Sequence, residues 1–174
     1  TTVFAAVAIQ HWQTSQGGQV YFVSSPGLPM VDIRLVFAAG SARDGENHGI
    51  AALTTNMLET GAGKWNADQI AQRFDAVGAK YSSATHRDMS WVGLRSLTQD
   101  DLLAQALATF QQIISQPQFI QEQFQRIKEQ KLISLTQQQE RPGYLAKKTF
   151  YQSIYGEHPY AHLVSGEIAT IKGM

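Results

Sequence analysis

Residues 20–23 are a β-branched and aromatic run that follows Gly17 and Gly18, which predicts a strand entered from a turn. Pro26, Gly27 and Pro29 then break the pattern. From 31 to 37 the apolar Val31, Ile33, Leu35 and Phe37 alternate with Asp32, Arg34 and Val36, so a half-buried strand of period two is expected. The Pro-Gly turn makes an antiparallel pairing of these two strands the natural expectation. After a polar loop over 38–47 the period lengthens. Ile50, Leu53 and Met57 recur at i, i+3 and i+7, the spacing of one helix face, and Gly61 and Gly63 end that helix.

Asn66 with Gln69 three residues later has the form of a capping box. It opens a second helix carrying Ile70, Phe74 and Val77 and ended by Gly78. Residues 80–85 and 90–97 read as two strands with Arg87-Asp88 as their turn, or as one long bent strand. Thr98 is a good N-cap, and Asp100 and Asp101 suit the positive end of the helix that follows. Leu102, Leu103, Ala106, Leu107, Phe110, Ile113 and Ile114 form its apolar stripe, and Pro117 ends it. A longer helix over 118–139 places Ile120, Phe124, Ile127 and Leu135 approximately on one face, Pro142 breaks it, and 143–155 forms a short helix before Gly156. This order predicts an α+β domain, with helices packed on one face of a mainly antiparallel sheet.

Composition narrows the picture without changing it. The 174 residues suit one domain, and the 43% hydrophobic and 16% charged residues are ordinary for a globular protein. Fourteen basic residues balance fourteen acidic ones, so nothing points to nucleic acid or an anionic membrane as partner. The absence of cysteine removes disulfides, thiolate metal sites and cysteine nucleophiles. Glutamine is abundant, and as an uncharged helix former it suits solvated helix faces. No apolar run reaches the ~20 residues of a membrane span. The opening residues 1–9 are apolar but short, with no basic flank and no initiator Met, as at the start of a processed or trimmed chain.

Three stretches carry a resemblance. The first is Leu28-Pro29, then the strand, then Ala39-Gly40-Ser41-Ala42-Arg43-Asp44. The second is Gly49-Ile50-Ala51-Ala52-Leu53-Thr54-Thr55-Asn56-Met57-Leu58 with Gly61. The third is Gly156-Glu157-His158-Pro159-Tyr160 with Gly166. In this order and spacing the chain resembles the insulinase/pitrilysin family of zinc peptidases, the inverted zincins. Active members carry H-x-x-E-H on the helix after the Ala-Gly-Ser loop. Its two imidazoles share a helix face and grip Zn²⁺, the Glu takes a proton from the metal-bound water, and a later helix adds a carboxylate ligand. Here the matching positions are Ala52, Thr55 and Asn56, and the third-ligand stretch falls at Leu132-Ile133-Ser134, with Glu129 and Glu140 the nearest acids. None of these supplies the chemistry of the residue it replaces.

The resemblance therefore implies a zinc-less chain without a cofactor of its own. It implies a zinc-bearing partner of the same family, with the two halves closing as a clamshell around a peptide. It further implies that 174 residues are one N-terminal-type domain of a two-domain subunit whose closing C-terminal strand is missing. The strand with Ser83 and Thr85 resembles the edge on which peptides add, with an ordinary sheet strand as the favoured alternative, because that edge usually belongs to the zinc-bearing half. Bacterial relatives of this kind are often exported, so a periplasmic or secreted location is expected. Two other functions stay open: an active zinc peptidase with a displaced site built from His158, His162 and an acid such as Glu157, and a purely structural core subunit. The sequence reading otherwise places His158 and His162 in a structural turn and His48 on the surface at a helix start. It gives Asp44 an ion pair with Arg43 and makes Trp12, Trp65 and Trp91 packing residues. No G-x-S-x-G and no phosphate-binding glycine loop is present.

Overall fold

A computed structural model describes residues 8–174; of the opening residues 1–9 read as a processed or trimmed start, 1–7 lie outside those described. In chain order the elements are β1 (Ile9–Gln13), β2 (Gln19–Val23), β3 (Met30–Phe37), α1 (Ile50–Met57), β4 (Gly61–Ala62), β5 (Trp65–Asn66), α2 (Ala67–Asp75), β6 (Lys80–Thr85), β7 (Ser90–Leu97), α3 (Asp100–Ser115), α4 (Gln121–Gln139), α5 (Pro142–Tyr155) and α6 (Ile168–Gly173). The predicted α+β class is the one observed.

The central sheet has the order β3-β7-β6, antiparallel throughout. Strand parity decides which face is covered. Ser90, Val92, Leu94 and Ser96 of β7 are all buried on the helix side. Ile33 and Tyr81 flank Leu94 there in register. On the opposite face Arg95 holds Asp32 through two bonds of 2.7 and 2.9 Å, and the Arg34 guanidinium lies 4.1 Å from the Trp91 ring. That ion pair is well exposed, so its contribution is small.

Two apolar clusters hold the layers together. Ile70, Phe74, Val92, Leu94, Phe110 and Ile113 join α2 and α3 to the sheet. Leu53, Met57, Ile127, Leu135 and Ile171 join α1, α4 and α6. α1 thus lies between β6 and α4, touching both.

The pairing expected across the Pro-Gly turn does not occur. β2 pairs instead with β1, from Ile9↔Val23 to Gln13↔Gln19, around a turn closed by Thr14 and Gly18 in which Gly17 takes φ +87°. β3 crosses to β7, where Val31 and Ile33 can be partly covered. The far end of β3 borders a hollow beside α1 and the end of α3. Leu35 and Phe37 stay 38% and 44% exposed there, against the expected half-buried face. A mostly apolar hollow of about 520 Å³ opens beside Phe37 and Ile50.

Other local expectations divide. The Asn66–Gln69 capping box forms with bonds of 2.9 and 3.1 Å. β6 and β7 are separate strands around a turn closed by the His86 N–H on the Met89 carbonyl at 2.7 Å. Thr98 does not cap α3: Gln99 holds that position without a side-chain bond, and the Thr98 N–H is taken by the Pro29 carbonyl. α4 begins only at Gln121, because Pro117 bridges to Ala62 and the Gln118 N–H bonds Gly61.

Candidate functional site

The start of α1 is fixed by a buried carboxylate. Asp44 accepts from the Gly49 and Ala51 N–H groups at 2.7 and 3.1 Å, so it caps the helix rather than pairing with Arg43. Burial holds its carboxyl above the usual range, and the two backbone bonds oppose that rise. Gly49 has φ +102° and Gly166 φ +77°, and a Cβ on Gly49 would lie 2.9 Å from the Gly166 Cα. Thr170 Oγ1 donates to the His48 carbonyl at 2.7 Å. The third family-like stretch is therefore docked on the first turn of the second.

The histidines sort differently from the sequence expectation. His48 is half-buried, and its ring stacks on His162 with centroids 3.4 Å apart. His162 Nδ1 lies 3.8 Å from Glu167 Oε1. His158 Nδ1 accepts from the Tyr160 N–H at 3.1 Å, capping a short turn over Pro159–Ala161. His158 and His162 thus serve different partners, which leaves the displaced-site alternative without its pair.

Along α1 the vacated motif positions also diverge. Thr55 is buried; its hydroxyl donates to the Ala51 carbonyl at 2.8 Å and meets Thr85 Oγ1 at 2.8 Å. Thr85 Oγ1 continues to Ser90 Oγ at 3.0 Å, which donates to the Ala39 carbonyl at 2.8 Å. Thr55, which the resemblance aligns with the general base, pins the helix to the sheet. Ala52 is half-covered, and Asn56 is exposed and lines a cleft. Ser83 is half-buried on the same face of β6 as Thr85, and β6 is an edge of the central sheet.

That cleft, of about 850 Å³, runs between α2 and α4 over the end of α1 and the start of β6. In the third-ligand stretch Ile133 points outward at 60% exposure and Leu132 packs against the Leu53–Met57 cluster. Only Ser134 reaches the cleft, and the helix repeat brings Ile127 and Lys131 beside it. Glu129 is exposed, and Glu140 lies past the last turn. Burial holds the Lys131 ammonium below its usual range. An amide at Asn56, a hydroxyl at Ser134 and an ammonium at Lys131 do not fit a dication, and the cleft's carboxylates, Glu59, Asp68 and Asp75, do not gather into a ligand set. Among the described residues no group of three or more His, Asp or Glu side chains comes together as a metal site.

Glu59 faces the cleft from the end of α1, and desolvation raises its carboxyl. Tyr81 at the floor stacks near Phe74 and Phe110, and burial pushes its hydroxyl up to about 12. Lys131, Glu59, the Asp44 cap and the His48–His162 stack were not singled out from sequence. Lys131 was within reach of that reasoning, since it sits one turn after core Ile127 and one residue before the expected ligand stretch.

Comparison with known proteins accords with this geometry. Residues 19–166 match the profile of the insulinase family, peptidase family M16. A Helicobacter pylori protein described as the non-peptidase homolog YmxG is 25% identical over 96% of this chain and 39% of its own length. A Rickettsia bellii protein described as an uncharacterized zinc protease is 26% identical over 84% of this chain and 35% of its own. The chain thus spans well under half the length of these relatives. The crystal structure of a peptidase M16 inactive domain from Pseudomonas fluorescens superposes with TM-score 0.94 at 38% identity, covering 97% of this chain and 41% of that one. Pitrilysin shares the fold, with TM-score 0.78 at 22% identity over 97% of this chain and 18% of its own. On this profile and this fold, the chain belongs to the insulinase family of peptidases, family M16.

Proposed function

We propose that this chain is a non-catalytic member of the family, which pairs with a zinc-bearing relative to enclose and orient peptide for cleavage by that partner. One observation carries the reading: an open cleft lies at the end of α1, and its lining offers no metal ligand set among the described residues. Asn56, Ser134 and Lys131 line about 850 Å³ of open space beside the β6 edge, and Thr55 is spent on Thr85. An edge strand can take an extended peptide through backbone bonds, so Ser83 and Thr85 contribute main chain rather than side chain to that contact. The described names of the Pseudomonas and Helicobacter relatives, an inactive domain and a non-peptidase homolog, point the same way. A second domain in the same subunit and export to the periplasm or beyond belong to the same proposal.

Metal analysis and a peptide-turnover assay on the chain alone test the catalytic half of this. The expected result is zinc far below one per chain and no turnover. Stoichiometric zinc together with autonomous, chelator-sensitive cleavage would overturn it.

A further inference from the structure

The walls of the cleft carry opposite charge. Glu59, Asp68 and Asp75 stand on the α1–α2 side, Lys131 and Arg126 stand on α4, and Lys80 stands between them at the exposed start of β6. Arg126 is already engaged, giving two bonds to Gln123 Oε1 at 3.1 and 2.9 Å. Lys131 and Glu59 are different. Neither takes part in an ion pair among the described residues, where the pairs are Asp32–Arg95 and those of Glu167 with Lys148 and His162. Lys131 is half-buried in the cleft wall, where desolvation lowers its ammonium, and Glu59 stands exposed at the rim with its carboxyl raised by desolvation. A desolvated charge without a counter-ion weakens folding, and such groups concentrate where a ligand supplies the missing charge.

We infer that the cleft reads charge on an extended peptide, Lys131 taking an acidic side chain and Glu59 a basic one. This rests on the proposal that the cleft holds peptide, and it adds a specificity which that proposal does not contain. The backbone bonds offered by the β6 edge are blind to sequence, so discrimination has to come from side chains on the walls. Lys131 also puts a positive charge on the helix face where the family resemblance calls for a carboxylate ligand. The site thereby changes from holding a cation to attracting a carboxylate.

The test is fluorescence anisotropy on the full chain, with fluorescein-labelled peptides of about ten residues, long enough at roughly 3.3 Å per residue to run through the cleft. Four peptides on a Ser/Thr/Val/Gln background carry one Glu, one Lys, both, or neither. The peptide with both is expected to bind roughly three- to tenfold tighter than the neutral one, the range of a partly screened charge pair. Lys131→Gln should abolish only the gain from Glu, and Glu59→Gln only the gain from Lys. Lys131→Glu should turn the gain from Glu into a loss. Melting curves of the Gln variants, expected at or above the parent's, show that they fold. If the parent binds the neutral peptide as tightly as the charged ones, the charge reading is wrong and the peptide proposal stands. Discrimination that survives both Gln variants overturns the assignment to these two residues. If no peptide binds, both proposals fail.

Discussion

Lys131 is half-buried and Glu59 stands at the cleft rim, and among the described residues neither has a counter-ion. Removing the charge should therefore stabilise the free chain at neutral pH. Lys131→Gln and Glu59→Gln are each expected to raise the urea midpoint slightly while weakening charged-peptide binding, a trade of stability for function. Their pH signatures have opposite origins. The Glu59 carboxyl titrates higher in the folded chain than in the unfolded one. The folded state then binds more protons just above the ordinary carboxylate range, and stability falls as pH rises through that window. The Lys131 ammonium titrates lower in the folded chain, so the unfolded state binds more protons just below 10.5 and stability rises with pH there. Urea midpoints measured against pH check both, because each slope should vanish in its own Gln variant. Asp44 is the contrasting case, a buried carboxylate that two N–H groups satisfy. Asp44→Ala should cost about 1–2 kcal/mol, as the loss of a helix cap does.

α1 is the element on which these residues converge. Its start is capped by Asp44, its middle is pinned through Thr55 to Thr85, and its first turn carries the loop that leads into α6. The joint with that loop is backbone against backbone, so Gly166→Ala should free the 162–171 segment from α1. Hydrogen exchange should then show faster exchange of the α6 amides, with the sheet still protected. Leu53→Ala, in the α1–α4 cluster, should cost roughly 2–5 kcal/mol in a denaturant titration. Helices were the legible part of the sequence. Leu53-Met57 and Ile70-Phe74 carry the 3.6-residue period and are buried, whereas Ile50 of the expected stripe stays exposed, and Asn66-Gln69 announces its own cap. Strand pairing was less legible, because pairing depends on partners distant in the chain. β1 alternates polar His11 and Gln13 with Trp12, which hides its period, and β3 finds β7 some sixty residues later. For the site, the motif supplies an expectation of position, at Ala52, Thr55 and Asn56, and none of direction. That Thr55 turns to the sheet while Asn56 turns to the cleft, and that Lys131 replaces Ile133 as the inward residue of α4, is set by helix register in three dimensions.

At the scale of the whole molecule, the scaffold and the chemistry have come apart. The chain superposes on an inactive M16 domain with TM-score 0.94, and the positions that the resemblance assigns to the metal site hold groups with other uses. Restoring the motif should therefore be insufficient. The variant Ala52→His/Thr55→Glu/Asn56→His is expected to bind zinc weakly, because Lys131 remains in the cleft. Adding Lys131→Glu should tighten binding at least about tenfold by exchanging a repelling ammonium for a third ligand, as read by competition with a chromophoric chelator. The most direct test of a partner-dependent role is peptide turnover by a zinc-bearing M16 relative, measured with and without this chain. The expected result is turnover by the mixture well above that of the relative alone, abolished by chelation and carried by the relative's zinc. Equal turnover with and without this chain, despite a stable complex, would contradict the proposal and make the chain a structural component.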